Sequence, residues 1–260
     1  MNRGFVRTLW GLKNRSERRL KRRDKMDKDI EFLSRNKYDR VDMVYVFGED
    51  NYKYIDALGY PCKMVSKESC AWNMETEQYR HKLEAFYQAS LDFDEFIFLD
   101  WDCMPIKELP SNFWNEFYKK QSFQASLSQY HRPRIDFRKE ERRRVPCASF
   151  VYIRDKNIPK EFINLWENNP EDRMWEENIM ARYVDNVNGG WQGIEAYWDQ
   201  FEPTCFSSPL LMGWEGYLSK EKLKSKDIYF QHFAVENISW VERKLRRGMK
   251  FNWMKESIKI

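Results

Sequence analysis

Apolar residues in this chain fall into short unbroken runs and into stretches where they recur every three or four positions, so strands and helices follow one another. Gly4 to Trp10 reads as a first strand. Ser16 to Leu33 reads as a basic helix with Leu20, Met26, Ile30 and Leu33 as its apolar stripe. Met43 to Phe47 is a second strand, ending in the turn-rich Gly48-Glu49-Asp50-Asn51; Tyr52 to Leu58 reads as a short helix stopped by Gly59, and Cys62 to Val65 as a third strand. From Glu75 to Leu91, Tyr79, Leu83, Phe86, Tyr87 and Leu91 share one helical face, and the strand Phe96 to Leu99 follows. Beyond it the pattern predicts strands at Phe123 to Leu127 and Ala148 to Ile153, and helices at Lys160 to Trp166 and Trp175 to Val184. A glycine-containing loop around Gly189-Gly190 and a late strand from Ile228 to Phe230, just before His232, complete the series. The alternation predicts an α/β fold with a mostly parallel central sheet, helices on both faces and a C-terminal elaboration. No internal repeat or low-complexity linker divides the chain, so residues 1–260 read as one domain. Ligands of such sheets bind at the carboxyl ends of the strands, which directs attention to the residues just after Leu99.

Composition narrows the classes. With 42% hydrophobic and 17% aromatic residues the chain is too apolar for a disordered polymer. A chain of 260 residues needs no disulfide or metal to complete its core. The densest apolar run, Phe96 to Leu99, stops at Asp100, so no transmembrane segment is expected. Arg3 and Arg7 precede only a short apolar patch that breaks at Lys13, which lacks the apolar region of a secretory signal. Cys62, Cys70, Cys103, Cys147 and Cys205 stand singly, and with three histidines in all they exclude a zinc ribbon or finger. A reduced, cytoplasmic setting is the expectation.

The net charge of +4 conceals an asymmetry: the first 40 residues hold 14 lysines and arginines against 6 acidic residues. One basic cluster lies between Lys13 and Lys28 and a second between Arg132 and Arg144. Such clusters suit polyanions, whether nucleic acid, a nucleoside diphosphate or an anionic membrane surface, and equally suit a solvated helix face.

The sharpest local signal is Phe96-Ile97-Phe98-Leu99-Asp100-Trp101-Asp102-Cys103, an apolar strand ending in two carboxylates one residue apart. Two hard oxygen ligands at the mouth of a parallel sheet suit Mn²⁺ or Mg²⁺, which takes the rest of its shell from substrate phosphates. Phosphate cradles of the P-loop and dinucleotide types are missing from the sequence.

The stretch Tyr79-Arg80-His81-Lys82-Leu83-Glu84-Ala85-Phe86, together with Phe93 to Asp102, resembles the helix and D-x-D strand of GT-A glycosyltransferases. The resemblance is to the glycogenin-like and galactosyltransferase-like group, which retains anomeric configuration. It implies a metal-dependent hexosyl- or pentosyltransferase that moves a sugar from a nucleoside-diphosphate donor to an acceptor hydroxyl. Residues 1–130 would form the nucleotide-sugar-binding half and residues 131–260 the acceptor half with a closing C-terminal segment. Asp100 and Asp102 match the metal-binding carboxylates, with Asp100 shared between metal and donor ribose. Arg80 and Lys82 match a basic position that faces the donor's sugar or phosphates. His232, in Ile228-Tyr229-Phe230-Gln231-His232-Phe233, matches the C-terminal histidine that completes the metal shell. The family's G-x-x-K-P-W continuation is absent, and Arg243, Lys244, Arg246 and Arg247 are the nearby cations that could serve the phosphates instead. Trp175-Glu176-Glu177-Asn178 resembles the family's D-Q helix, so Glu176 or Glu177 would face the transferred sugar; a surface pair favoured by the helix dipole is the other reading. Thr8, Leu9 and Trp10 match the first strand that contacts base and ribose, with Glu49 and Asp50 on the same edge.

The basic clusters leave the acceptor open between a nucleic acid, such as a hydroxymethylated base in phage-type DNA, and a lipid-linked saccharide. Two other classes stay in view: a nucleotidyltransferase, which would release pyrophosphate, and a non-catalytic nucleic-acid-binding protein using the basic N-terminal helix.

Overall fold

The computed structural model describes residues 1–11, 17–69, 78–105, 108–119, 121–128, 145–173, 175–188, 198–200, 206–207 and 229–232. Its first strand, β1 (Arg3–Leu9), is buried on both sides from Gly4 onward and pairs in parallel with β2 (Met43–Phe47) and with β4 (Glu95–Leu99). β3 (Cys62–Ser66) adds to β2, again in parallel. β7 (Val145–Ile153) runs antiparallel to β4 and to β6 (Phe123–Ser128), and β8 (Trp198–Gln200) pairs in parallel with β6. The seven-stranded sheet therefore has the order β3-β2-β1-β4-β7-β6-β8. A three-stranded sheet sets β10 (Phe230–His232) between β5 (Cys103–Pro105) and β9 (Phe206–Ser207).

Strand alternation assigns each side chain to a layer. Val6, Tyr45, Phe47, Phe96, Phe98 and Val151 pack on one face against α3 (Arg80–Asp92), α5 (Asn157–Asn168) and α6 (Glu176–Asn188). On the other face Leu9, Val44 and Val46 meet α1 (Glu17–Leu33) and α2 (Glu49–Ala57) through Ile30, Leu33 and Ile55. On that same face Phe5, Ile97, Leu99 and Phe150 pack on α4 (Phe113–Tyr118) and on Phe230 of the small sheet. The expected α/β architecture, mostly parallel with helices on both faces, is the one observed. No helix among the described residues is long and apolar enough to cross a membrane.

Several boundaries differ from the pattern-based reading for local reasons. Helix α2 starts at Glu49, not Tyr52, because Gly48 turns the chain at φ 95° and Glu49 and Asp50 suit the positive end of a helix. Asn51, expected in a turn, is buried and donates its amide to the carbonyls of Phe47 and Gly11. His232 was expected after its strand; β10 includes it. β5 and α4 escaped the periodicity because three- and six-residue elements are too short to show one.

Candidate active site

Strand β4 is wholly buried up to Leu99, and the chain then turns, the amide of Cys103 donating to the carbonyl of Asp100 at 2.9 Å. The turn is oriented by its middle residue. Trp101 is buried, donates its indole N–H to the Thr8 carbonyl at 2.7 Å and meets Tyr60 edge-on at 5.7 Å. With the indole turned inward, the flanking Asp100 and Asp102 side chains stay 28% and 22% exposed, open to a ligand.

Lys82, in the first turn of α3, reaches the same place from the other helical layer. Its ammonium lies 2.8 Å from Asp100 Oδ1 and 2.6 Å from Glu176 Oε1, and it sits 5.3 Å from the Phe98 ring. Burial disfavours the Lys82 charge, but the two carboxylates outweigh it and keep the ammonium protonated well above the usual lysine range. Burial also pushes the Asp100 carboxyl up to about 6; Lys82 opposes the rise, and the like charges of Asp102 and Glu176 add to it. Asp102 lies 3.8 Å from Lys25 of α1.

Glu176 and Glu177 open α6 and are both buried, which removes the surface-pair reading. They divide: Glu176 joins Lys82, while Glu177 Oε1 accepts the Ala148 amide of β7 at 3.4 Å. Among the described residues no hydrogen-bond partner meets Glu176 Oε2, Asn178 Oδ1 or Gln78 Oε1, all on buried side chains. Buried acceptors in that condition mark where ligand hydroxyls or water belong. Asn178 lies in the Trp175-Glu176-Glu177-Asn178 stretch without being singled out there, and Gln78 carries no motif.

Other expected residues take different places. Arg80 turns away from the cluster to Glu84 and Glu167, since two residues along a helix is about 200° of rotation from Lys82. Thr8, Leu9 and Trp10 end a strand buried on both faces, with Thr8 Oγ1 donating to the Tyr45 carbonyl, so their side chains point into the core. The next residue, Gly11, is the one that reaches a cleft of about 490 Å³, lined also by Gly48, Glu49, Asp50, Asn51, Lys67, Glu68 and Ser69. A Cβ at Gly48 would come within 3.0 Å of the Ser69 Cβ at a backbone angle side chains rarely adopt. Gly48→Ala is therefore expected to cost about 1–3 kcal/mol, read as a lower urea midpoint.

His232 pairs in the antiparallel ladder with Cys103, which brings its backbone opposite the residue after Asp102; its side chain lies outside the described part. Among the described residues no three of His, Cys, Asp and Glu form a metal-holding group by themselves. The basic cluster at 132–144 and the residues 243–247 lie outside the described residues, as do the side chains from 13 to 23. Cys147, 3.1 Å from the Ser149 hydroxyl, is a buried thiol pushed up to about 12 by burial and hence unreactive.

No protein-family model and no curated protein matches the chain. Among solved structures it is similar to a glycosyltransferase involved in glycosylation of the major capsid of PBCV-1, at 12% identity and TM-score 0.51 over 95% of this chain and 100% of that one. It is similar also to the galactosyltransferase LgtC, solved with donor and acceptor sugar analogues, at 10% identity and TM-score 0.52 over 98% of this chain and 96% of the other. At such identities the likeness is one of architecture: the chain has the fold of the GT-A glycosyltransferases.

Proposed function

We propose that the chain transfers a sugar from a nucleoside-diphosphate donor to an acceptor hydroxyl, with Mn²⁺ or Mg²⁺ bound at Asp100 and Asp102. The observation that carries this reading is the ion cluster Lys82–Asp100–Glu176 beside Asp102, at the carboxyl ends of parallel strands in a glycosyltransferase fold. Two carboxylates with partly open faces fit a hard cation of this kind, which takes few protein ligands and fills its shell with phosphate oxygens and water. His232 is the further ligand proposed. Bound there, the cation would supply positive charge against the departing diphosphate.

The chain's own residues do the rest. The cleft between Gly11, Gly48 and Ser69 takes the nucleoside, with Glu49 and Asp50 as acceptors for ribose hydroxyls. Lys82 bridges Asp100 and Glu176, offsets their mutual repulsion and keeps both oriented. Glu176 accepts a hydroxyl of the transferred sugar at its unmet Oε2, and its negative charge stabilises the anomeric carbon as positive charge develops. The anomeric C–O bond to the diphosphate breaks and a bond to the acceptor oxygen forms; the acceptor proton leaves to the diphosphate or to solvent.

Purified protein incubated with Mn²⁺ and a panel of sugar nucleotides is expected to release nucleoside diphosphate and free sugar slowly, as water substitutes for the acceptor. Release of pyrophosphate would replace this reading by nucleotidyl transfer. No Mn²⁺-dependent turnover of any donor would contradict it. Supplying hydroxymethylated DNA and a lipid-linked saccharide separately then identifies the acceptor by which one accelerates diphosphate release.

A further inference from the structure

Arg7 lies in the middle of β1, on the same face as the apolar Phe5 and Leu9, and is fully buried. A guanidinium there must be desolvated, and the core at that position would accept an aliphatic side chain more cheaply. What it reaches is the two-carboxylate turn. Nη1 donates to the Asp100 carbonyl at 2.6 Å, Nη2 donates to the Cys103 carbonyl at 3.1 Å, and the guanidinium stands 5.0 Å from the Trp101 ring. Nη2 also pairs with Asp39 at 2.9 Å, and Asp39 in turn accepts the Tyr60 hydroxyl at 3.1 Å. The network grips the turn from behind at its first and last residues while both aspartate side chains point elsewhere.

We propose that Arg7 is a positioning residue for the metal site: its planar fork fixes the backbone on either side of Trp101–Asp102, so the carboxylates of Asp100 and Asp102 are presented at one spacing. The proposal rests on reading those two aspartates as ligands of a divalent cation. Arginine suits the task because its donors form a rigid array that spans two carbonyls and a carboxylate at once. A lysine keeps the charge opposite Asp39 but ends in one compact ammonium, which cannot reach both carbonyls. Asp39 and Tyr60 hold the guanidinium in register, so they act one step further out.

The test compares Mn²⁺ binding, followed by the electron paramagnetic resonance of free Mn²⁺, in the wild type, Arg7→Lys and Tyr60→Phe. Binding of nucleoside diphosphates without metal and urea unfolding are measured on the same samples. Arg7→Lys is expected to weaken Mn²⁺ at least tenfold while metal-free binding of the nucleoside diphosphate stays within twofold, a split that general loosening of the fold would not produce. Wild-type Mn²⁺ affinity in Arg7→Lys would overturn the proposal. Should that variant fail to fold, Tyr60→Phe decides: it removes only the hydroxyl bond to Asp39, and a two- to fivefold weaker Mn²⁺ with an unchanged urea midpoint supports the clamp, whereas unchanged affinity overturns it. If the wild type itself binds no Mn²⁺, the metal reading of Asp100 and Asp102 has failed, and the role of Arg7 falls with it.

Discussion

Lys82→Met is expected to lower stability by about 3–5 kcal/mol at neutral pH, the usual result of removing one partner from a buried ion cluster. Methionine matches the length and packing of the stem, so the loss isolates the charge. The Lys82 side chain is 5% exposed and sits between Asp100 and the equally buried Glu176, so its removal leaves the two carboxylates without the cation that offsets their repulsion. The sign of the pH dependence follows. Asp100 is already raised to about 6 by burial with Lys82 opposing, and without Lys82 it rises further. A carboxyl raised in the folded state binds its proton more tightly there than in the unfolded chain, so the penalty is full above its folded value and shrinks as pH falls below it. Urea unfolding of wild type and variant at pH 8 and pH 5.5 should show the gap narrowing at the lower pH; an equal gap at both would contradict the charge argument. Turnover should vanish in this variant at either pH.

Asp102→Asn separates chemistry from stability. The carboxylate is 22% exposed and its pairing with Lys25 is long at 3.8 Å, so the loss of that pair is expected to cost about 0–1 kcal/mol of folding free energy. Donor turnover should nevertheless fall by about 10²–10³, the range for losing one element that stabilises developing charge. Added Mn²⁺ should restore part of it if the defect is in affinity. Turnover within threefold of wild type, in a variant with an unchanged urea midpoint, would remove Asp102 from the site.

Much of this arrangement is legible in the linear pattern, and the part that is not has a common cause. Strands β2 and β4 are buried on both sides, so they appear as unbroken apolar runs, Met43 to Phe47 and Phe96 to Leu99, and the sudden acidity after Leu99 marks where the sheet opens. Lys82 and Glu176 could each be singled out from their local motifs. Their meeting could not, because it depends on α3 and α6 packing side by side on one face of the sheet. Arg80 shows the cost of reading a motif without its helix: it is two residues from Lys82 and faces α5 instead. Arg7 looked like one charge before a short apolar patch; the signal was its place between Phe5 and Leu9 in a strand, where a charged side chain requires partners brought from elsewhere in the chain. Gln78 left no pattern, and Asn178, though inside the Trp175–Asn178 stretch, draws notice only by its buried, unmet acceptor.

The central claim is that Asp100 and Asp102 share a divalent cation with a nucleoside diphosphate. Anomalous diffraction from crystals grown with Mn²⁺ and a nucleoside diphosphate tests it directly. The account predicts one manganese peak in coordination contact with Asp102 and the diphosphate, with the nucleoside in the cleft beside Gly11 and Gly48. A diphosphate bound with no manganese near either aspartate, or a manganese peak elsewhere on the protein, would contradict it.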